Sequence, residues 1–285
     1  MAKIELLPPD NFRTFKTWVS DKGNLNPVFV ASFRHPMQKK LMDMYVKIYP
    51  LDYDDRCIFN EILGYLMANE LGIPQPSYAC IAMIPTDIIK QNDTIGFCDT
   101  PLGKQFLQNI SYPVFCTARI HKNETAFEYN QRTKKLVAEL EKWKFMASTI
   151  ALDNTIAHID RHTNNLLRTG RNTYHIIDNG LLVGHYEKHG WKTTDLQAKK
   201  LYPNRLYDIA KTCMKEKAFN TINSNMVQMA DTHVDAVENI LDELRYWTNV
   251  LYNQNPNDYN VFIDFLIDRA NNAFTFTRTR AELFI

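Results

Sequence analysis

Between Asn165 and Asp178 the chain has room for one short hairpin and little else. Asn165 closes the segment Asp160-Arg161-His162-Thr163-Asn164-Asn165, and Asp178 opens Asp178-Asn179-Gly180. The residues around Gly170, Arg168 to Thr173, read as a tight turn between strands at Asn165–Arg168 and Tyr174–Asp178. Such a hairpin must bring Asn165 and Asp178 side by side, with Asp160 at the far end of the loop that precedes them. The apolar pair Ile176-Ile177 would bury the second strand and fix Asp178, and Gly180 would let the chain turn sharply after it.

The rest of the chain divides by pattern. Pro27 to Phe33 and Met44 to Tyr49 read as a strand pair, with Pro50 as its stop. A helix is expected from about Asp55 to Leu71, where Ile58, Ile62 and Leu66 recur at helical spacing and Gly72 stands at the C-terminal cap. Tyr78–Ile84 and Val114–Ile120 read as strands, with a short helix near Gly103–Asn109. Past about residue 126 the pattern turns helical. Leu136, Leu140, Trp143, Ala147 and Ile150 step by four and three, which makes one apolar stripe on one helix, and that helix, or a second directly after it, delivers the chain to Asp160. Val234, Val237, Leu241, Leu244, Thr248 and Leu251 form a second stripe with Asp231 as its N-cap, and a last helix runs from about Asp258 to Asn271. The expectation is an α+β chain, strand-rich over 1–125 and helix-rich over 126–285.

Composition narrows the function classes. A hydrophobic content of 45% supports a sizeable core, and a formal net charge of +1 points to neither nucleic acid nor an anionic membrane surface. No apolar run approaches the roughly 20 residues of a membrane helix, and the first residues lack an apolar signal core. Five scattered cysteines without a CxxC pair suit reduced thiols in a cytoplasm. The eight histidines are dispersed, so a structural role is expected for them ahead of a zinc site.

An Asp, an Asn five positions later and a second Asp after a hairpin are what phosphoryl transfer from a nucleotide requires. One carboxylate orients or deprotonates the attacking hydroxyl, and the Asn and second Asp hold magnesium on the phosphates. Asp160 would be the first, Asn165 and Asp178 the metal ligands. Upstream, Lys47 sits on a strand with Val46 and Ile48 facing the other way, and Glu61 lies on the following helix. A lysine on a strand and a glutamate on the next helix form the ion pair that aligns nucleotide phosphates in protein kinases. Taken singly, each residue has a plainer reading. Lys47 could be a solvated edge-strand lysine, Glu61 a surface residue, Asp160 a turn cap, and Asn179-Gly180 a type I′ hairpin turn.

Together, Ile159-Asp160-Arg161-His162-Thr163-Asn164-Asn165-Leu166-Leu167 and Tyr174-His175-Ile176-Ile177-Asp178-Asn179-Gly180 resemble the HipA-like kinases. The nearest pattern is that of a compact branch, roughly DR-x-x-x-N-LL … W-x-IDHG. The Asp-Arg-His core also resembles the catalytic loop of phosphoinositide kinases. Tyr45-Val46-Lys47-Ile48 and Asn60-Glu61-Ile62-Leu63-Gly64, followed by Leu71-Gly72-Ile73-Pro74-Gln75-Pro76, extend the resemblance, which covers about residues 27–185.

The resemblance implies a two-lobed protein-kinase-like fold and an ATP- and magnesium-dependent enzyme. The transferred γ-phosphate would go to a Ser or Thr hydroxyl on a protein, in a toxin or defence setting with a neutralising or regulatory protein partner. Lys47 would contact ATP with Glu61 as its partner, Asp160 would be the base, His162 would assist, and Asn165 and Asp178 would bind Mg2+. The rivals are a small-molecule or lipid kinase and a nucleotide-binding pseudokinase. The feature favouring the pseudokinase is the expected phosphate loop, Arg34 to Lys40, which has no glycine.

Overall fold

The computed structural model describes residues 3–19, 26–35, 40–51, 56–184, 190–253 and 256–282. In chain order the elements begin with strands β1 (Ile4–Leu7), β2 (Phe12–Trp18), β3 (Val28–Arg34) and β4 (Leu41–Lys47). Helix α1 (Cys57–Glu70) follows, then β5 (Ala79–Pro85), α2 (Thr86–Gln91), α3 (Pro101–Leu107) and β6 (Ser111–Ala118). The remainder is β7 (Glu124–Thr125), α4 (Ala126–Thr133), α5 (Leu136–Leu140), α6 (Met146–Thr155), β8 (Leu166–Gly170) and β9 (Thr173–Ile176). It ends with α7 (Arg205–Cys213), α8 (Glu216–Ala230), α9 (His233–Leu251), α10 (Pro256–Asn271) and α11 (Ala273–Arg280). The chain is thus α+β. It forms two compact units, Met1–Ile58 with Pro76–Ile120, and Phe59–Gln75 with His121–Ile285. Residues 59–75, most of α1, group with the second unit and not with the strands that flank them in sequence.

The first unit is a six-stranded sheet in the order β1-β5-β6-β4-β3-β2. Only β1 pairs in parallel, with β5. Alternation sets its faces: Phe29, Ala31 and Phe33 of β3 and Met44 and Val46 of β4 enter one apolar cluster with Cys80, Ala82, Ile84, Val114 and Cys116. The next residue on β4, Lys47, stands in register with Val28 on one side and Phe115 on the other. By the same alternation it lies on the face opposite that cluster. Asp43, two pairs up the same face, accepts from Lys16 at 2.6 Å and from Ser32 at 2.7 Å, tying β2, β3 and β4 together.

Strand β2 changes one expectation. It pairs antiparallel with β3, so the lysine strand β4 is the third of three consecutive antiparallel strands. The loop between the first two of these is Val19–Pro27, which contains Gly23, not Arg34–Lys40. Residues 20–25 of that loop, and Pro36–Lys39 of the other, lie outside the described residues.

In the second unit α1 ends as its sequence requires. Gly72 takes φ +62°, its N–H donates to Asn69 C=O at 3.2 Å, and Ile73 N–H reaches Ala68 C=O at 2.9 Å. The stripe Leu136–Ile150 spans two helices, α5 and α6, with turns between them, and all five of its apolar positions are buried. In the C-terminal part Asp231 ends α8 and does not cap α9. The buried residues of α9 are His233, Ala236, Val237, Ile240, Leu244, Trp247 and Thr248, so Val237, Leu244 and Thr248 of the expected stripe are buried and Val234, Leu241 and Leu251 only partly so. Phe59 and Trp191 close an aromatic cluster with Tyr259 and Phe262 of α10. Among the described residues no helix is long and apolar enough to cross a membrane.

His233, the first residue of α9, is fully buried, with Nδ1 2.6 Å from Thr155 Oγ1 and no partner for Nε2 among the described residues. Burial pushes its pKa down to about 4. The unfolded chain takes up this proton near pH 6.5, so between pH 6.5 and 4 it binds more protons than the folded one and stability falls as the pH is lowered. The loss is about 3 kcal/mol by pH 4 for this residue alone. The urea midpoint is therefore expected to drop between pH 7 and 4.5. His233→Gln should flatten that slope, and an unchanged slope would rule His233 out as its source.

Candidate active site

The segment from Ala157 to Gly180 is held by hydrogen bonds that run between the two motifs. Asn165, buried at the head of β8, donates from Nδ2 to Asp160 C=O at 2.8 Å and accepts at its own C=O from Ile177 N–H at 3.1 Å. One residue therefore ties the Asp160 loop to the strand leading to Asp178. The hairpin that makes this possible is β8–β9, with Leu166 opposite Ile176. Its left-handed turn residue is Asn172, φ +55°, and not Gly170.

Asp178 itself takes φ +62°, a conformation a β-carbon disfavours and one that collects at functional positions. Gly180 was expected to supply the sharp turn, but it has no positive φ; the turn is made at the aspartate. Nor do Asn179 and Gly180 form a hairpin turn, since their backbone groups bond elsewhere. Asn179 N–H donates to Glu61 Oε2 at 2.9 Å, and Gly180 C=O accepts from Asn60 Nδ2 at 2.7 Å. Asn60 in turn accepts from Trp191 Nε1 at 3.1 Å. Glu61, expected as the partner of Lys47, thus receives the main chain next to Asp178. Lys47 lies on β4 of the first unit.

Several residues without an expected role complete the arrangement. Arg161 is wholly buried, salt-bridged to the equally buried Asp153 at 3.2 Å. It donates to Ile177 C=O at 2.6 Å, Asp178 C=O at 3.3 Å and Asn179 Oδ1 at 2.7 Å. Burial pushes Asp153 up to about 6 even though Arg161 opposes the shift. His158 accepts from Asp160 N–H at Nδ1 (3.2 Å), which leaves Nε2–H to donate to Asp178 C=O at 3.0 Å. Burial, then the nearby Arg161 charge, hold its pKa well below the ordinary histidine range; the neutral tautomer is the one these bonds require.

Asp160 is half-buried. Its Oδ1 accepts from Arg205 at 2.9 Å, while Oδ2 lies 3.7 Å from His162 Nε2. Burial raises its pKa; the charges of His162 and Arg205 pull it back, and that of Asp178 adds to the rise. His162 also caps the short turn at Thr163–Asn165 through Nδ1. Asp160, His162, Asn165, Asp178 and Glu61 are therefore one connected group within the second unit.

Could this group hold magnesium? Among the described residues no cluster of three His, Cys, Asp or Glu side chains is preformed for a metal. Magnesium does not ask for one: it is a hard cation that keeps its waters and takes one or two carboxylates plus substrate phosphates. A carboxylate and an amide oxygen, Asp178 and Asn165, fit that donor set. Searches of protein-family models and of curated proteins return no match to this chain.

Proposed function

We propose that the chain is a protein-kinase-like phosphotransferase with two lobes, moving the γ-phosphate of ATP to a Ser or Thr hydroxyl on a protein. The observation that carries this is the position of Asn165, bonded at once to Asp160 and to Ile177, the residue before Asp178. A general base and two metal ligands gathered by one hairpin are what in-line phosphoryl transfer uses. The strand order supports it too. Lys47 stands on the third of three antiparallel strands, ahead of a helix carrying Glu61, the arrangement kinases use for the phosphate-binding lysine.

The roles follow. Asp160 orients the acceptor hydroxyl and takes its proton on Oδ2; Arg205 fixes the other oxygen. Asn165 and Asp178 would hold the magnesium, which when bound neutralises charge on the phosphates. Lys47 supplies a further cation for them. His162 stands beside Asp160 to assist. The HipA-like resemblance further suggests a toxin or defence role with a neutralising protein partner in the cytoplasm.

The pseudokinase alternative rested on a glycine-free phosphate loop. In the present reading the phosphate loop is instead the connection between the first two strands of the run, Val19–Pro27, whose sequence contains Gly23.

The test is to incubate the purified chain with ATP labelled at the γ-phosphate, with magnesium and then with excess chelator. Label is expected in the chain or an added protein acceptor only with magnesium, and Asp178→Asn should lower it about a hundredfold or more. Labelling that survives the chelator or the substitution would sink the reading. Label entering lipid and not protein would move it to a lipid kinase.

A further inference from the structure

Protein kinases place an aromatic residue after the metal-binding aspartate; this chain places Asn179 there, and it is buried. Its neighbour on α1 is Gly64. A β-carbon added at Gly64 would stand 2.3 Å from both Cβ and Cγ of Asn179 and 2.8 Å from its Nδ2. Glycine in a helix interior is otherwise unfavourable by about 1 kcal/mol relative to alanine, so the close approach is what the residue secures. Asn60, Glu61 and Gly64 occupy neighbouring positions on one face of α1. The first two bind the backbone on either side of the Asn179–Gly180 peptide, and the third seats the Asn179 side chain. From the other side Asn179 Oδ1 receives Arg161, whose charge is balanced by Asp153.

We infer that Gly64 and Asn179 form a polar seat that fixes Asp178 in its metal-binding position, making both of them positioning residues for the metal. The inference rests on the phosphotransfer reading for the identity of the metal, but the seat itself is a matter of packing. Four backbone groups on either side of Asp178 are engaged. Ile177 N–H meets Asn165, Ile177 and Asp178 C=O meet Arg161, Asp178 C=O also meets His158, and Asn179 N–H meets Glu61. The main chain of the aspartate is thus held from several sides, and metal affinity is set from α1 through one asparagine side chain. Loss of partners that orient a metal ligand typically weakens metal affinity about 10- to 100-fold.

The probe is Mn2+ in the presence of a non-hydrolysable ATP analogue, its affinity read by electron paramagnetic resonance. Asn179→Ala, which removes the bond to Arg161, is expected to weaken Mn2+ about tenfold or more while the protein stays folded. Gly64→Ala, which pushes Asn179 out of its seat, is expected to do the same; should it fail to fold, Asn179→Ala carries the test. Folded variants that bind Mn2+ as the wild type does would overturn the inference. If the wild type binds no Mn2+ with the analogue, the phosphotransfer reading fails first. The seat is then judged by hydrogen exchange at the Asn179 amide. Slow exchange in the wild type that becomes fast in Asn179→Ala supports it, and fast exchange in the wild type ends it.

Discussion

Asp160→Asn is expected to lower the rate of magnesium-dependent γ-phosphate transfer about a thousandfold while changing ATP affinity less than about threefold. The substitution is nearly isosteric. An asparagine can keep its Oδ1 toward Arg205, where Asp160 accepts at 2.9 Å. The main chain is held independently by Asn165 at its C=O and His158 at its N–H. What is lost is the second carboxylate oxygen, which becomes an amide donor and cannot take a proton. The raised pKa of Asp160, caused by burial against the opposing charges of His162 and Arg205, makes it a better base than an exposed carboxylate. Single-turnover kinetics on wild type and variant, with ATP binding measured separately, give the comparison. A variant that retains a tenth of the wild-type rate would show that Asp160 only orients its partner and is not the base.

The parts of the site that were legible in sequence are those whose partners are near in the chain. Asn165 and Asp178 share a hairpin, so their adjacency follows from strand pairing over a few residues. The end of α1 was legible for the same reason, because Gly72 acts within its own turn. Arg161 was visible within the motif but its role was not, since its acceptors, Ile177, Asp178 and Asn179, are reached only after the fold closes. Asp153 gave a signal that could have been used: a lone carboxylate within the apolar run Ile150-Ala151-Leu152 needs a buried partner. Gly64 gave another, as an isolated glycine inside a helical pattern.

Strand β2 escaped notice for a physical reason. Its pairing with β3 slips register twice, between Phe12 and Thr14 and between Phe15 and Thr17. Each irregularity breaks the period of two on which strand recognition depends. The connection between the first two strands of the run was consequently placed one connection too late. At Asp178 the left-handed conformation falls on the aspartate itself and not on the glycine two positions on. Glycine was the correct local expectation, and a tightly bonded site overrides it because Arg161, His158, Glu61 and Asn165 hold the backbone from all sides.

Arg269→Met is expected to destabilise the second unit by about 3–5 kcal/mol, much of the stability of an ordinary domain. Arg269, near the end of α10, is buried, and no carboxylate pairs with it among the described residues. Its partners are carbonyls: Thr155 from Nε at 2.9 Å, Ala198 and Lys200 from Nη1 at 2.9 Å each, and Asn154 from Nη2. Asn154 and Thr155 end α6, so a full positive charge sits where the helix leaves its last carbonyls unsatisfied and its dipole is negative. Burial lowers the Arg269 pKa to about 10, which shows that the charge is held at some expense, and methionine would relieve it. That relief is outweighed. The Asn154 and Thr155 carbonyls lie in fully buried residues, and a bond from a charged donor contributes about 1.5–3 kcal/mol each. Ala198 and Lys200 are more exposed and can turn to water, so they add less. Methionine keeps an apolar stem in the site but loses the guanidinium that lies over Phe276 and Tyr202 at 4.4 and 5.1 Å, so the measured loss reports the carbonyl bonds together with these ring contacts. Arg269→Lys should recover less than half of it, because an ammonium cannot span four carbonyls. The readout is urea unfolding followed by tryptophan fluorescence, since Trp143, Trp191 and Trp247 all belong to this unit. A midpoint for Arg269→Met within about 1 kcal/mol of wild type would mean that the α6 carbonyls find other partners. Because α6 runs directly into His158 and Asp160, the same variant should also loosen the loop that carries Asp160. Asp160 amide exchange should rise in Arg269→Met at urea concentrations where the wild type remains protected.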